Sequence, residues 1–446
     1  MALSTGPEPI RLTETGPGVE VALHPAQVAT LINSPRLVRL TPVPGPGGRW
    51  RVSGLERVGL VRLGRGDGAV ELHIDPKLPV AQLLFLLTYA PGTPWRDQQV
   101  TASASDDDLL PALADAYARA ARRALDPGVL HGYRVTDDEL PVVRGRIRTA
   151  EQLRRTGLPL PVAVRYDDFT ADIPENRVLL AALHRLEHLP GVTDTTRRTL
   201  RHLAARLPEV TPLRPGTPLP VWTPTRLNSR YAPVLRLAEL ILTDRTLTPH
   251  GPTPVTTDGF VLDLATVFER FLTDTLTAAL RPHRVRVEPQ ERHHRLDVGA
   301  RVRIRPDLVL YRAGRPLTVV DAKYKDLGAS TPSTDNLYQL LGYCTALAIP
   351  HGHLVYAAQR GDAPVPHAIR NAGITLTAHA VDLSRPPAEI LASVAALADH
   401  LAQQPGQSSR VDQVTARSSP SATHSPDPPP RPGPSPSSSR CRRWAG

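Results

Sequence analysis

Apolar positions along this chain follow two different periods. Between residues 10 and 90 they come in short runs. Val19-Glu20-Val21-Ala22-Leu23 alternates, and runs at 37–43, 50–52, 58–63 and 69–74 follow it. Turns such as Pro44-Gly45-Pro46-Gly47-Gly48 and Gly64-Arg65-Gly66-Asp67-Gly68 separate them. Short β-branched runs between Gly/Pro turns predict strands, and strands this closely spaced predict a small barrel or sandwich. Residues 28–32 predict one or two helical turns among them. The period then lengthens. Residues 80–89, 106–125, 146–155, 176–189, 197–207 and 228–242 carry apolar side chains at helical spacing, which predicts a mainly helical middle region.

After about residue 255 both periods return. A helix is expected over 263–280, a strand over 284–288, a helix over 335–347, strands over 353–358 and 374–381, and a closing helix over 387–403. This order is that of a compact α/β domain. Its centre is Arg303-Ile304-Arg305-Pro306-Asp307-Leu308-Val309-Leu310-Tyr311, then Leu317-Thr318-Val319-Val320-Asp321-Ala322-Lys323-Tyr324-Lys325. Both runs read as strands, and Arg312-Ala313-Gly314-Arg315-Pro316 between them reads as a turn, so the pair predicts a β-hairpin. From about residue 404 the chain is Pro, Ser and Arg, too poor in apolar surface to fold, so a disordered tail is expected. The expected organisation is mixed α/β: a β-rich module over 1–90, a mainly helical region over 91–254, an α/β domain over 255–403 and a tail over 404–446.

Parity gives the hairpin a possible chemistry. Asp321 and Lys323 are two apart, so on a strand they share a face, and Asp307 at the start of the neighbouring strand can approach it. Two carboxylates and an ammonium there can hold Mg²⁺ with water and phosphate. The alternative is a chance cluster at an exposed strand end. Composition weighs against chance. Of 53 basic residues only three are lysine, Lys77, Lys323 and Lys325, and two of those sit at the hairpin's end. Lys is a compact charge that can touch a water, whereas Arg is a planar fork.

The net charge is +10, and six Arg against two Asp after His400 supply +4 of it. The +6 left for the body is compatible with a polyanionic partner. Two cysteines, Cys344 and Cys441, are too few for a four-Cys zinc or iron–sulfur site within one chain. No G-x-x-x-x-G-K-[ST] loop occurs. The first ten residues are polar and no run approaches the ~18 apolar residues of a membrane span, so a cytoplasmic protein without a membrane partner is expected. The cluster Asp167, Asp168, Asp172 and Glu175 lacks the Gly and spacing of a calcium loop and reads as the cap of a helix beginning near Asn176. His293-His294 reads as a solvated loop.

Pro306-Asp307, a second strand ending Asp321-Ala322-Lys323, a preceding helical Glu269 and a following Gln339-x-x-x-Tyr343 together resemble the PD-(D/E)xK nuclease superfamily. The Gln-x-x-x-Tyr element is similar to that of its RecB-like branch. A bare D-x-K is weak, but the ordered set on the right elements is far more specific. Further stretches resemble the McrC family: Gly54-Leu55-Glu56-Arg57-Val58-Gly59, Leu72-His73-Ile74-Asp75-Pro76-Lys77, Arg144-Gly145-Arg146-Ile147, Tyr166-Asp167-Asp168-Phe169-Thr170, Ile173-Pro174-Glu175-Asn176-Arg177 and Phe268-Glu269-Arg270-Phe271. The likeness covers nearly everything except the tail.

The resemblance implies a restriction-endonuclease-like domain over 255–403 in the Mg²⁺-dependent endonuclease subunit of a GTP-driven, methylcytosine-dependent restriction system. Its partners would be an McrB-like AAA+ GTPase ring and double-stranded DNA containing modified cytosine. The N-terminal β module would dock on the ring and stimulate its GTPase. By the resemblance, Asp307 and Asp321 hold Mg²⁺, Lys323 positions or polarises the attacking water, and Glu269 and Gln339 complete the catalytic set. Glu269 has a structural alternative in an ion pair, Gln339 as a hydrogen-bonding cap, Tyr343 as packing, and Lys325 as a phosphate contact. Two rival functions stand beside this one. A stand-alone RecB-like repair exonuclease would cut unaided, and a non-catalytic regulator of an AAA+ partner would have no use for the Asp307/Asp321/Lys323 set.

Overall fold

The structure, a computed structural model, describes residues 9–45, 48–89, 108–154, 160–214, 216–243, 257–324, 332–358 and 363–404. In chain order its first elements are β1 (Ile10–Thr13), β2 (Val19–Ala22), α1 (Pro25–Ile32), β3 (Val38–Pro42), β4 (Arg49–Gly54), β5 (Arg57–Leu63) and β6 (Val70–Asp75). The middle holds α2 (Val80–Thr88), α3 (Leu109–Leu125), β7 (Gly132–Leu140), β8 (Arg146–Ile147), α4 (Thr149–Leu153), β9 (Val162–Thr170), α5 (Pro174–His188), α6 (Asp194–Ala204) and α7 (Ala232–Thr243). Then come β10 (Thr257–Asp263), α8 (Leu264–Leu280), β11 (Val285–Pro289), β12 (Leu308–Arg312), β13 (Arg315–Lys323) and α9 (Thr334–Leu347). The last described elements are β14 (His351–Ala358), β15 (Val365–Ile369), β16 (Ile374–Asp382) and α10 (Pro387–Ala402). The mixed α/β class is as expected. The tail beyond residue 404 and Lys325 lie outside the described residues.

The N-terminal strands form two small sheets, β1-β6-β5-β10 and β2-β4-β3, around Leu12, Leu37, Val52, Val61 and Leu72. The first sheet takes in a strand from after residue 254, because β10 pairs antiparallel with β5. Gly59 and Gly259 allow it. Both have positive φ, and a Cβ on either would press on the carbonyl oxygen of Phe260 or Leu60 across the ladder. The Gly in the Gly54–Gly59 motif therefore has a packing reason.

The middle region departs from expectation in two places. Residues 146–155 are not one helix: Arg146–Ile147 is a strand, and only Thr149–Leu153 is helical. The long antiparallel pair β7 and β9 was not expected. Its charge-rich segments look like loops until they pair. Asp137 then sits opposite Arg165, whose Nε and Nη2 donate to it at 2.5 and 2.8 Å. Asp172 is not a helix cap either, since α5 begins at Pro174 without a side-chain cap. Its carboxylate accepts from Arg177 Nε at 2.6 Å, Arg134 Nη1 at 2.6 Å and the Thr211 hydroxyl at 2.8 Å. Arg177 foremost, with Thr211 and Arg134, holds its carboxyl well below the usual range.

The C-terminal sheet has six strands in the order β11-β12-β13-β14-β16-β15. β11, β12 and β13 pair antiparallel, β13, β14 and β16 run parallel, and β15 closes antiparallel to β16. The expected hairpin is present, with Arg312 opposite Arg315 and both Ala313 and Gly314 at positive φ in the turn. Its first strand starts at Leu308 rather than 303, beyond Pro306, which lacks an N–H. Strand parity splits the packing. Val309, Val319, Leu354 and Tyr356 face Leu340 and Cys344 of α9. Leu308, Leu310, Val320 and Val355 join α8 and α10 in the large core that continues into α2, α3, α5 and α7. Among the described residues no helix is long and apolar enough to cross a membrane.

Candidate active site

Asp321 and Lys323 end β13 on one face, as parity requires. Asp321 is fully buried, and Lys323 Nζ lies 2.5 Å from its Oδ2. Asp307 sits one residue before β12. Its Oδ2 accepts from the Ala322 N–H at 3.0 Å, which locks it beside the Asp321–Lys323 pair. Gln339, one turn before Tyr343 on α9, accepts from Lys323 Nζ at 3.3 Å. Its own Nε2 donates to the Tyr343 hydroxyl at 2.7 Å, and that hydroxyl donates to the Arg305 carbonyl at 3.1 Å. Glu269 comes in from α8 and meets this group through Gln290. The Gln290 side chain donates to Glu269 Oε1 and, at 3.3 Å, to Asp307 Oδ1. Its backbone N–H donates to the Asp307 carbonyl at 2.8 Å.

All five residues singled out by sequence therefore meet at one end of the sheet. Gln290 is the member that sequence reading missed. It follows β11 directly, has positive φ and belongs to no motif, so only the fold reveals it. Tyr343 both packs in the α9 core and bonds to Gln339. The His293-His294 loop is partly engaged. His294 Nε2 lies 2.7 Å from Glu291 Oε2, which also accepts from the Tyr311 hydroxyl at 2.7 Å, while His293 is exposed.

The electrostatics are those of crowded, desolvated carboxylates. Burial, and then the Asp307 charge, push Asp321 up to about 7 despite the pull of Lys323. Burial and Asp307 also raise Glu269. For Lys323, burial opposes the charge, but Asp321 and Asp307 outweigh it and raise its pKa, so it stays an ammonium. Asp321 Oδ1 is buried with no hydrogen-bond donor. An orphaned carboxylate oxygen beside two further carboxylates fits a hard divalent cation, which takes oxygen ligands. Asp307 and Asp321 are the residues that could hold one.

The family described as McrBC 5-methylcytosine restriction system component matches residues 55–357. No curated protein matches the chain. Among solved structures, the chain is similar to one from the refined half-complex of the tetradecameric assembly of Thermococcus gammatolerans McrB AAA+ hexamers with bound McrC. That likeness has 17% identity and a TM-score of 0.49, over 88% of this chain and 100% of that one. It is also similar to a chain in the cryo-EM structure of the Thermococcus gammatolerans McrBC complex, at 18% identity and TM-score 0.38, over 61% of this chain and 88% of that one.

Proposed function

The chain belongs to the family of McrBC 5-methylcytosine restriction system components, and from that premise we propose that it is the Mg²⁺-dependent endonuclease subunit, cutting DNA that contains modified cytosine under the control of an McrB-like AAA+ GTPase. The observation that carries the nuclease reading is the buried Asp321 with an unpartnered Oδ1, set against Asp307 and the Lys323 ammonium. A regulator without chemistry would gain nothing from that arrangement, because ionised carboxylates crowded away from water destabilise the fold.

Asp307 and Asp321 would hold Mg²⁺, which would supply Lewis-acid polarisation of a phosphate and activation of a water. The chain's own residues do the positioning. Lys323 keeps its proton, so it donates to the water or to a phosphate oxygen rather than acting as a general base. Gln339 aims that ammonium, and Tyr343 fixes Gln339. Gln290 holds Asp307 by backbone and side chain and ties it to Glu269.

Control by a partner is supported by two features. The sequence has no nucleotide phosphate loop, which leaves GTP hydrolysis to another chain. The β7–β9 sheet exposes Tyr133 (78%) and Phe169 (59%), 5.1 Å apart, with Val135 beside Tyr133 on the same strand face. An exposed aromatic patch fits a docking surface. The test is to assay the purified chain with methylated duplex DNA, then add the cognate GTPase and GTP. Cleavage should appear only with all components, and the chain should raise the GTPase rate. Efficient GTP-independent digestion by the chain alone would overturn the partner-controlled reading in favour of a stand-alone exonuclease.

A further inference from the structure

On the opposite face of the C-terminal sheet from Asp321, three imidazoles converge from three elements. His353 lies on β14 and His379 on the adjacent β16. Their register places His353 opposite Thr377, so His379, two residues on, shares its face. His400 comes from the last turn of α10. One ring nitrogen from each lies within 4.8 Å of the others. The ring centroids form a near-equilateral triangle, at 5.2 Å (His353–His379), 5.8 Å (His353–His400) and 5.6 Å (His379–His400).

We propose that His353, His379 and His400 form a three-histidine site for a divalent transition-metal ion, zinc foremost, that pins α10 to the sheet. The triangle has the required size. Three imidazoles bound to zinc at ~2.0–2.1 Å with tetrahedral angles have ring centres about 5 Å apart. Two of the three rings are also withdrawn from solvent. His353 is 1% exposed, and burial, then His379 and His400, hold its pKa well below the usual value. Burial and then His400 bring His379 down to about 4. The plainer account, a neutral histidine pair, covers only part of this. It uses the 3.0 Å contact between His353 Nδ1 and His379 Nε2. It leaves His353 Nε2 buried without a partner and does not use the third imidazole, His400. The Nε2 of His400 lies 3.2 Å from the Gln404 side-chain amide, and a metal would engage this ring through its other nitrogen or by displacing that amide. His400 is exposed, which leaves the ion's fourth position open to water. The neighbouring Asp399 does not compete, since it takes His283 Nε2 at 2.9 Å.

The full-length chain, stripped with a chelator and dialysed, is titrated with Zn²⁺ by calorimetry and followed by thermal melting. The site predicts one equivalent of tight zinc that His400→Ala loses, with at least a tenfold fall in affinity, and a zinc-dependent rise in melting temperature that His400→Ala lacks. His400 is at the surface, so this variant should fold. His379→Gln should behave the same way, and Co²⁺ should give visible bands of a tetrahedral site in the parent chain but not in His400→Ala or His379→Gln. A His293→Ala/His294→Ala double variant should keep that equivalent. The proposal is overturned if the parent binds no zinc, if His400→Ala binds as much as the parent, or if the loss follows the His293/His294 variant instead.

Discussion

The Lys323 ammonium lies 2.5 Å from Oδ2 of Asp321, while Oδ1 of the same buried carboxylate has no donor at all. The lysine thus neutralises one side of Asp321 and leaves the other open. Replacing it should damage chemistry more than folding. Lys323→Gln and Lys323→Arg should both lower single-turnover DNA cleavage by on the order of 10²–10³-fold, the usual cost of losing a positioned donor. Arg should not rescue, because a guanidinium is bulkier and planar. Cleavage by Lys323→Arg within about threefold of the parent would show that any positive charge there suffices.

Asp321 also makes stability depend on pH in a stated direction. Its pKa is about 7 in the fold against an ordinary value of 3.8. For a carboxyl raised in this way, the favourable contribution is fully present below about 3.8 and is lost as pH rises toward about 7. Above that, the ionised form opposes folding, at about 1.4 kcal/mol per pKa unit. Without divalent cations, Asp321→Asn should therefore melt a few degrees higher than the parent at pH 8, with the gap closing toward pH 5. A gap that stays constant, or widens toward low pH, contradicts the account.

Gln290 links Asp307 to Glu269 through its side chain, and on this account it positions them rather than reacting. Gln290→Ala should weaken divalent-cation binding, measured by calorimetry, roughly 10–100-fold, as removal of an outer-shell partner does. At saturating cation much of the cleavage rate should return. A fall in rate that no cation concentration restores would make Gln290 a catalytic residue instead.

Glu14 joins the N-terminal module to the end of β13. It is 1% exposed and accepts from the Lys77 N–H at 2.8 Å and from the Tyr324 hydroxyl at 3.1 Å, next to Lys323. Tyr324→Phe removes one donor from a buried carboxylate whose pKa burial has already raised. It should destabilise the chain by about 1–3 kcal/mol in chemical denaturation. No change in midpoint would show that water replaces the hydroxyl.

The hairpin was legible because β-branched runs flank a Gly-containing turn, and because parity alone puts Asp321 and Lys323 on one face. Glu269 and Gln339 were legible as helical positions, and the fold brings both to the hairpin's end. What was not legible depends on partners distant in sequence. Strand β7 reads Gly-Tyr-Arg-Val-Thr-Asp-Asp-Glu-Leu, and its acids are tolerable in a strand only once Arg165 lies opposite Asp137. Strand β10 is recruited by β5, nearly two hundred residues earlier, through glycines whose need for close approach no local pattern announces. The same pairing means that a break at residue 90 would strip β10 of its neighbour, so point substitutions probe the N-terminal module more cleanly than truncation.

The central claim is that the Asp307–Asp321–Lys323 group is a nuclease centre, separable from partner control. It is tested most directly by assembling Asp307→Ala and Asp321→Asn chains with the cognate GTPase, GTP, Mg²⁺ and methylated duplex DNA, and measuring strand cleavage and GTP turnover in the same tube. Both variants should stimulate GTP hydrolysis like the parent while cutting no DNA above background. DNA cleavage at the parental rate by either variant, with GTP turnover intact, would contradict the assignment.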